Sequence, residues 1–216
     1  MEIKRLLKEN YLLYRVSTYL VRKYYNLVGG VKIENKGKGH FKKDVVGKGN
    51  KIVVGKGTFI RNPIIKIRGH NNRLVIGDNC SIYKNVGFQI DGNDLSIILG
   101  NGTSIQHGSR FHAQHANITV GEDCMFSNNI FIRTSDSHPI YDAETNEIIN
   151  PAKGVVIGNH VWLAANSKIF KGTIVGDGSV IGAYSLVTKK IPQNCIAAGI
   201  PARVVKENVC WSRSKR

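Results

Sequence analysis

Long apolar runs are missing from this chain. No stretch of eighteen or more apolar residues occurs, so the sequence offers no candidate for a membrane-spanning helix. A cleavable signal is missing as well. The opening "MEIKRLLKENYLLYRVSTYLVRKYY" carries charge throughout and leads to no small-residue cleavage site, which makes the cytoplasm the expected location. Cysteine is scarce: the four present, Cys80, Cys124, Cys195 and Cys210, show no CxxC spacing and no disulfide framework. Cys80 and Cys124 hold equivalent places in "IGDNCS" and "VGEDCM" and read as reduced, buried small hydrophobes. Acidic residues are few, 15 Asp and Glu against 31 Lys and Arg, for a formal charge of +16. That surplus favours a polyanionic partner: nucleic acid, an anionic membrane surface, a phosphorylated cofactor or an acidic polymer. Nucleic acid is not expected, because no nucleic-acid-binding fold or aromatic-basic motif accompanies the charge.

What the chain has in quantity is a repeat. At 216 residues and 42% apolar it can hold one domain with a sizeable core. The segments "VVGKGTFI", "VIGDNCSI", "ILGNGTSI", "TVGEDCMF", "VIGNHVWL" and "IVGDGSVI" align on Gly55, Gly77, Gly100, Gly121, Gly158 and Gly176, with successive gaps of 22, 23, 21, 37 and 18 residues. Towards the C-terminus an aliphatic residue recurs every six positions: Ile157, Leu163, Ile169, Val175, Ile181 and Val187. Six is neither a helical nor a hairpin period. It fits a triangular solenoid in which each hexapeptide forms one flat side, points its aliphatic residue inward, and turns the corner on Gly, Asn or Asp. Three sides make a coil of about eighteen residues. Gaps of 21 to 23 are then coils with small bulges, and the gap of 37 is a coil with an excursion, because the six-step stops after Ile132 and resumes at Ile157.

Six such steps in register resemble the left-handed parallel β-helix of hexapeptide-repeat acyltransferases over residues 50 to 205. The stretch "VVIGNHVWLAANSKIFKGTIVGDGSVIGAYSLVTKKIPQNCIAAGIPARVVKE" is similar to the C-terminal half of galactoside, maltose and capsular-sugar O-acetyltransferases. The expected fold is mainly β: the solenoid domain over 31–205 with a loop at about 133–154, a basic amphipathic helical segment over 1–30, and a basic, flexible tail over 206–216. In the N-terminal segment Leu6, Leu13, Leu20 and Leu27 recur at sevens among basic residues; such a helix would cap the open end of the solenoid or lie on an anionic membrane.

The excursion opens with "TSDSHPIYD". The resemblance makes His138 the general base, and its chemistry agrees: moving an acetyl group from a thioester to a hydroxyl needs a base with a pKa near neutrality. Pro139 restricts His138 to an extended backbone. Asp136 would orient the imidazole or bind the acceptor, or is a plain turn residue. No Ser, Cys or Lys stands out as an acyl-accepting nucleophile, so direct transfer is expected. The resemblance further implies acetyl-CoA as acyl donor, with Ala165, Ala183 and Thr188 along its pantetheine arm and Lys189, Arg203 and Lys206 at its phosphates. It also implies an oxyanion donor near Ala165, a homotrimer with active sites between subunits, and no metal.

The acceptor side is less regular. The second histidine and the characteristic Asn of galactoside-specific relatives are not found in "HPIYDAETNEIINPAKG" or "SIQHGSRFHAQHANITVG". Arg110, His107 and His112 would instead contact an acidic acceptor, with Trp162 and Tyr141 as pocket walls. The expected activity is O-acetylation of a sugar in a capsular or other cell-surface polysaccharide or its precursor. The alternatives are an N-acetyltransferase acting on a nucleotide-linked amino sugar, a zinc enzyme resembling the carbonic anhydrases of this fold that uses His107, His112 and His115, and a non-catalytic scaffold.

Overall fold

The computed structural model describes residues 30–214 together with Val16 and Leu20. The helical segment expected over 1–30 lies almost wholly outside the described residues. The rest is a parallel β-helix with three flat faces. The first face is a seven-stranded sheet, and a 14-stranded sheet wraps the other two.

Along each face buried side chains stack in columns. On the first, Val54, Ile76, Leu99, Val120, Ile157 and Val175 stack in register from coil to coil. The second stacks Ile60, Ile82, Ile105, Phe126, Leu163, Ile181 and Ala197. On the third, Phe88, Phe111, Ile132, Ile169 and Val187 form the column. All six residues of the aliphatic six-step are at most 1% exposed. Burying each aliphatic side chain contributes about 1.5–3 kcal/mol, which suits a scaffold in which many strands are only two to five residues long.

One of the longer coils shifts register between its Arg61 and Ile64 pairings, and the next ones are wider. In Gly87–Asp91 and Arg110–Gln114 the third face is five residues long and turns two side chains inward, whereas Phe131–Arg133 and Lys168–Ile169 turn in one. The extra width is filled by aromatics, with Phe88 and Phe111 centred 5.1 Å apart and Phe111 and Phe126 stacked at 6.1 Å. Beyond the expected small bulges, then, the longer coils gain width, and a wider triangle needs longer inward side chains.

Corners hold the coils together. Asp78, Asn101, Asn159 and Asp177 each accept the backbone N–H of the preceding coil at 2.7–2.9 Å. The aligned glycines are required by close stacking. A Cβ on Gly121 would lie 2.6 Å from the Gly158 backbone and 2.5 Å from the Asn159 side chain. The excursion leaves this stack intact, since the Gly121 N–H reaches Ile157 O at 2.8 Å across it.

The chain closes with an antiparallel pair, Ile196–Gly199 and Ala202–Lys206, after which it turns back along the solenoid. The expected flexible tail is instead docked. The Val209 N–H meets Asn194 O at 2.9 Å, Trp211 stacks on His160 at 4.0 Å and 8°, and the Arg213 guanidinium donates to Asp123, Ser104 and Cys124 O at 2.8–2.9 Å. This strap crosses several coils along the edge between the first and second faces.

Candidate active site

The loop leaves the third face at Thr134, whose hydroxyl donates to Gln114 O at 2.9 Å and accepts the Gln114 N–H at 2.8 Å. It rejoins the first face at Val155. Between these points it folds back on itself: Tyr141 bridges Ile148, and Asn150 draws the two arms together. The Asn150 amide donates to the His138 carbonyl and to Asp136 Oδ2, both at 3.0 Å, and accepts the Ile140 N–H at 2.6 Å. Lys171, from the next coil, donates to Asp136 at 2.5 Å and to Asn150 O at 2.8 Å. Arg133 donates to the Ser137 hydroxyl at 2.9 Å and to the Ser135 carbonyl.

These bonds hold the loop through both backbone and side chains and leave the His138 imidazole, exposed to solvent, without a hydrogen bond among the described residues. Ser137, directly before it, is held at φ 71°, a conformation that a residue with a side chain adopts only when its surroundings enforce it. Asp136 does not orient the imidazole. Its carboxylate belongs to Lys171 and Asn150, and the Lys171 ammonium holds its pKa below the usual carboxylate range.

The loop base lies beside two of the candidate acceptor residues. Arg110 and His112 are in register with Phe131 and Arg133, and the Thr134 N–H reaches His112 O at 3.2 Å. His112 bonds Asp91 at 2.7 Å; burial raises the pKa of that carboxyl, but His112 and Gln89 outweigh it and leave it lowered. His107 sits elsewhere, edge-on to Tyr83 at 5.4 Å. The three histidines of the zinc alternative therefore diverge, and among the described residues no three His, Cys, Asp or Glu side chains gather as a ligand set. Tyr141 and its neighbours Ile140, Ile148 and Ile149 are more than half exposed on the loop.

Ala165 and Ala183 occupy a different edge, between the second and third faces. They lie on successive coils, where the Tyr184 N–H bonds Ala165 O at 3.0 Å. The Ala165 N–H makes no hydrogen bond among the described residues. Thr188 and Lys189 follow at the next corner, and Arg203 and Lys206 lie on the final antiparallel strand, all four exposed. Trp162 projects from the second face, with its indole N–H 3.3 Å from the Ser127 hydroxyl and its ring 6.1 Å from that of Trp211.

A model of bacterial transferase hexapeptides (six repeats) matches residues 154–189. The chain is 34% identical over 150 residues to a polysialic acid O-acetyltransferase of Escherichia coli O1:K1 / APEC, covering 69% of this chain but only 46% of that one. It is 35% identical over 177 residues to the polysialic acid O-acetyltransferase of Neisseria meningitidis, covering 78% of each. The chain belongs to the hexapeptide-repeat acyltransferases. A crystal structure of the polysialic acid O-acetyltransferase OatWY matches it with a TM-score of 0.78 at 31% identity, over 86% of this chain and 88% of that one.

Within this acyltransferase, sequence reasoning missed the clamp made by Arg133, Asn150 and Lys171, and the contact of Trp211 and Arg213 with the strand region of Trp162. Lys171 and Asn150 carried no signal, being single polar residues 35 and 14 positions from Asp136. Trp211 did carry one: a tryptophan inside a supposedly free basic tail has apolar surface to bury.

Proposed function

We propose that the protein transfers an acetyl group from acetyl-CoA to a hydroxyl of a sugar in a capsular or other cell-surface polysaccharide or its precursor, with His138 as general base. The observation that carries this reading is the loop that ties down the His138 carbonyl and the side chains of Ser137 and Asp136 just before it while leaving its imidazole unengaged. The imidazole accepts the proton of the acceptor hydroxyl as that oxygen bonds to the thioester carbonyl carbon. The oxyanion that forms needs a hydrogen-bond donor, for which the Ala165 N–H is free. Collapse expels the thiolate, which takes the proton back from the imidazolium, so no covalent enzyme intermediate is required.

The donor residues suit coenzyme A. Short side chains at Ala165 and Ala183 leave an edge on which an extended arm can lie against backbone, and Thr188 stands at the next corner of the same end of the solenoid. Lys189, Arg203 and Lys206 form no ion pair among the described residues and are available to phosphate. Loop and alanine edge stand on different edges of the triangular prism. Side-by-side packing in a homotrimer would set the loop of one protomer against the alanine edge of its neighbour, which supports the reading of a site shared between subunits. Relatives named as polysialic acid O-acetyltransferases support an anionic glycan as acceptor.

The test is thiol release from acetyl-CoA over a panel of polysialic acid, other capsular polysaccharides, their oligosaccharides and nucleotide-linked amino sugars. Acceptor-dependent release with an alkali-labile ester is expected. An alkali-stable amide on an amino sugar would replace the O-acetyltransferase with an N-acetyltransferase, and silence together with failure to bind coenzyme A would refute both.

A further inference from the structure

The charge of the chain is unevenly distributed along the solenoid. Residues 30–73 hold twelve Lys and Arg against two carboxylates, Glu34 and Asp44, whereas residues 74–214 hold eleven of each. The coils bearing the loop and the alanine edge are thus neutral as a group, and the cationic surplus of the described residues sits on the first coils. Phosphates of acetyl-CoA do not explain it, because the lysines and arginine proposed to meet them are at the opposite end.

On these first coils a groove of about 430 Å³ opens among His40, Phe59, Arg61, Asn62, Lys84 and Asn85. The Arg61 guanidinium lies 5.1 Å from the centre of the Phe59 ring and 4.8 Å from that of Tyr83. Neither Arg61 nor Lys84 forms an ion pair among the described residues. Asn62, in the left-handed conformation at φ 52°, has a buried Oδ1 with no hydrogen-bond partner there. Tyr83 in turn meets His107, so a cation-aromatic ladder climbs the edge between the second and third faces. Backbone bonds from Gly108 to Lys84, Asn129 to His107 and Asn166 to Asn128 continue that edge to Ala165. Three rungs of about 4.8 Å separate groove and alanine, a span of roughly 14 Å.

We infer that this groove is a second glycan subsite, which holds a carboxylate-bearing polysaccharide chain some 14 Å, by the same rung spacing, from the point of acetyl transfer. The inference rests on the proposed glycan acceptor and adds the place where an unreacted part of the chain is held. An aromatic-flanked guanidinium is preorganised for a planar carboxylate. A sugar acid supplies that carboxylate in every unit. A flat anionic bilayer meets protruding cations more readily than a recessed amide. The consequence is a preference for long acceptors, since anchoring at the groove raises the effective concentration of the chain at the loop.

The probe is fluorescently labelled polysialic acid, long chains against the trimer, bound to the full-length protein without acetyl-CoA and then used as acceptor with it. The wild type should bind long chains more tightly as salt is lowered. Arg61→Ala/Lys84→Ala should lose roughly tenfold or more in that affinity and raise KM for long chains to match, while kcat and all kinetics on the trimer stay unchanged. Arg61→Lys, which keeps the charge and loses the planar fork, should fall between. Equal binding by wild type and double variant, an equal loss on the trimer, or displacement of the chains by phosphatidylserine vesicles would overturn the subsite. Arg61-dependent binding without any acetyl transfer would leave the subsite standing and remove the proposed reaction; transfer without such binding would do the reverse.

Discussion

A base that must take a proton and return it needs a fixed position and a free ring. His138, proposed as that base, has both: its carbonyl is tied to Asn150 and its imidazole makes no hydrogen bond among the described residues. His138→Ala should therefore lower kcat by about 10²–10⁴-fold while leaving coenzyme A affinity near the wild-type value, as measured by steady-state turnover and equilibrium binding. Asp136 acts one step back, through the loop. Because Lys171 lowers its pKa in the folded protein, the clamp is complete above the ordinary carboxylate range and is lost as the pH falls through that lowered value. Replacing Lys171 by Ala should move the loss of loop protection, followed by hydrogen exchange of residues 136–150 against pH, up towards the ordinary range. Turnover near neutrality should fall with it, through a misplaced His138 and not through donor binding.

Among the elements, the coil shows most clearly what was legible in the sequence and why. The six-step over Ile157 to Val187 was readable because the narrow C-terminal coils turn one side chain inward per face, and the excursion because its 37-residue gap breaks the stacking period. The wide N-terminal coils were not, since Phe88 with Ile90 and Phe111 with Ala113 put two inward residues on one face and obscure the period. Glycine at the head of each coil was legible as a repeat but not as a requirement for space. Gly121→Ala would drive a methyl group into the next coil, and we expect a loss of about 1–3 kcal/mol in denaturant unfolding with little change in m-value. The loop that carries His138 was legible from the break in the repeat and the adjoining proline. Its supporting clamp was not, because Arg133, Asn150 and Lys171 meet only after the loop has folded onto the coil.

Over the whole molecule, the prism separates a charge-balanced stretch over residues 74–214 from a cationic one over residues 30–73, a division that the net charge of +16 conceals. On the proposed reading of a site shared between subunits, the loop and the alanine edge of one protomer are two half-sites. Gel-filtration mass together with activity rescue should check this: mixing His138→Ala protomers with protomers altered at the alanine edge, for example Ala165→Trp, should restore turnover if each site draws on two subunits. The docked C-terminus bears on a different property. A solenoid whose coils touch only their neighbours can open from one end, coil by coil. The strap binds Asn194, His160, Asp123 and Ser104 to one segment, so the last coil cannot leave without releasing those before it. Trp211→Ala/Arg213→Ala should leave the described fold intact, yet split one unfolding transition into two and expose residues 155–199 to exchange first. Seven residues that add no coil thus turn a row of nearly independent repeats into one cooperative unit.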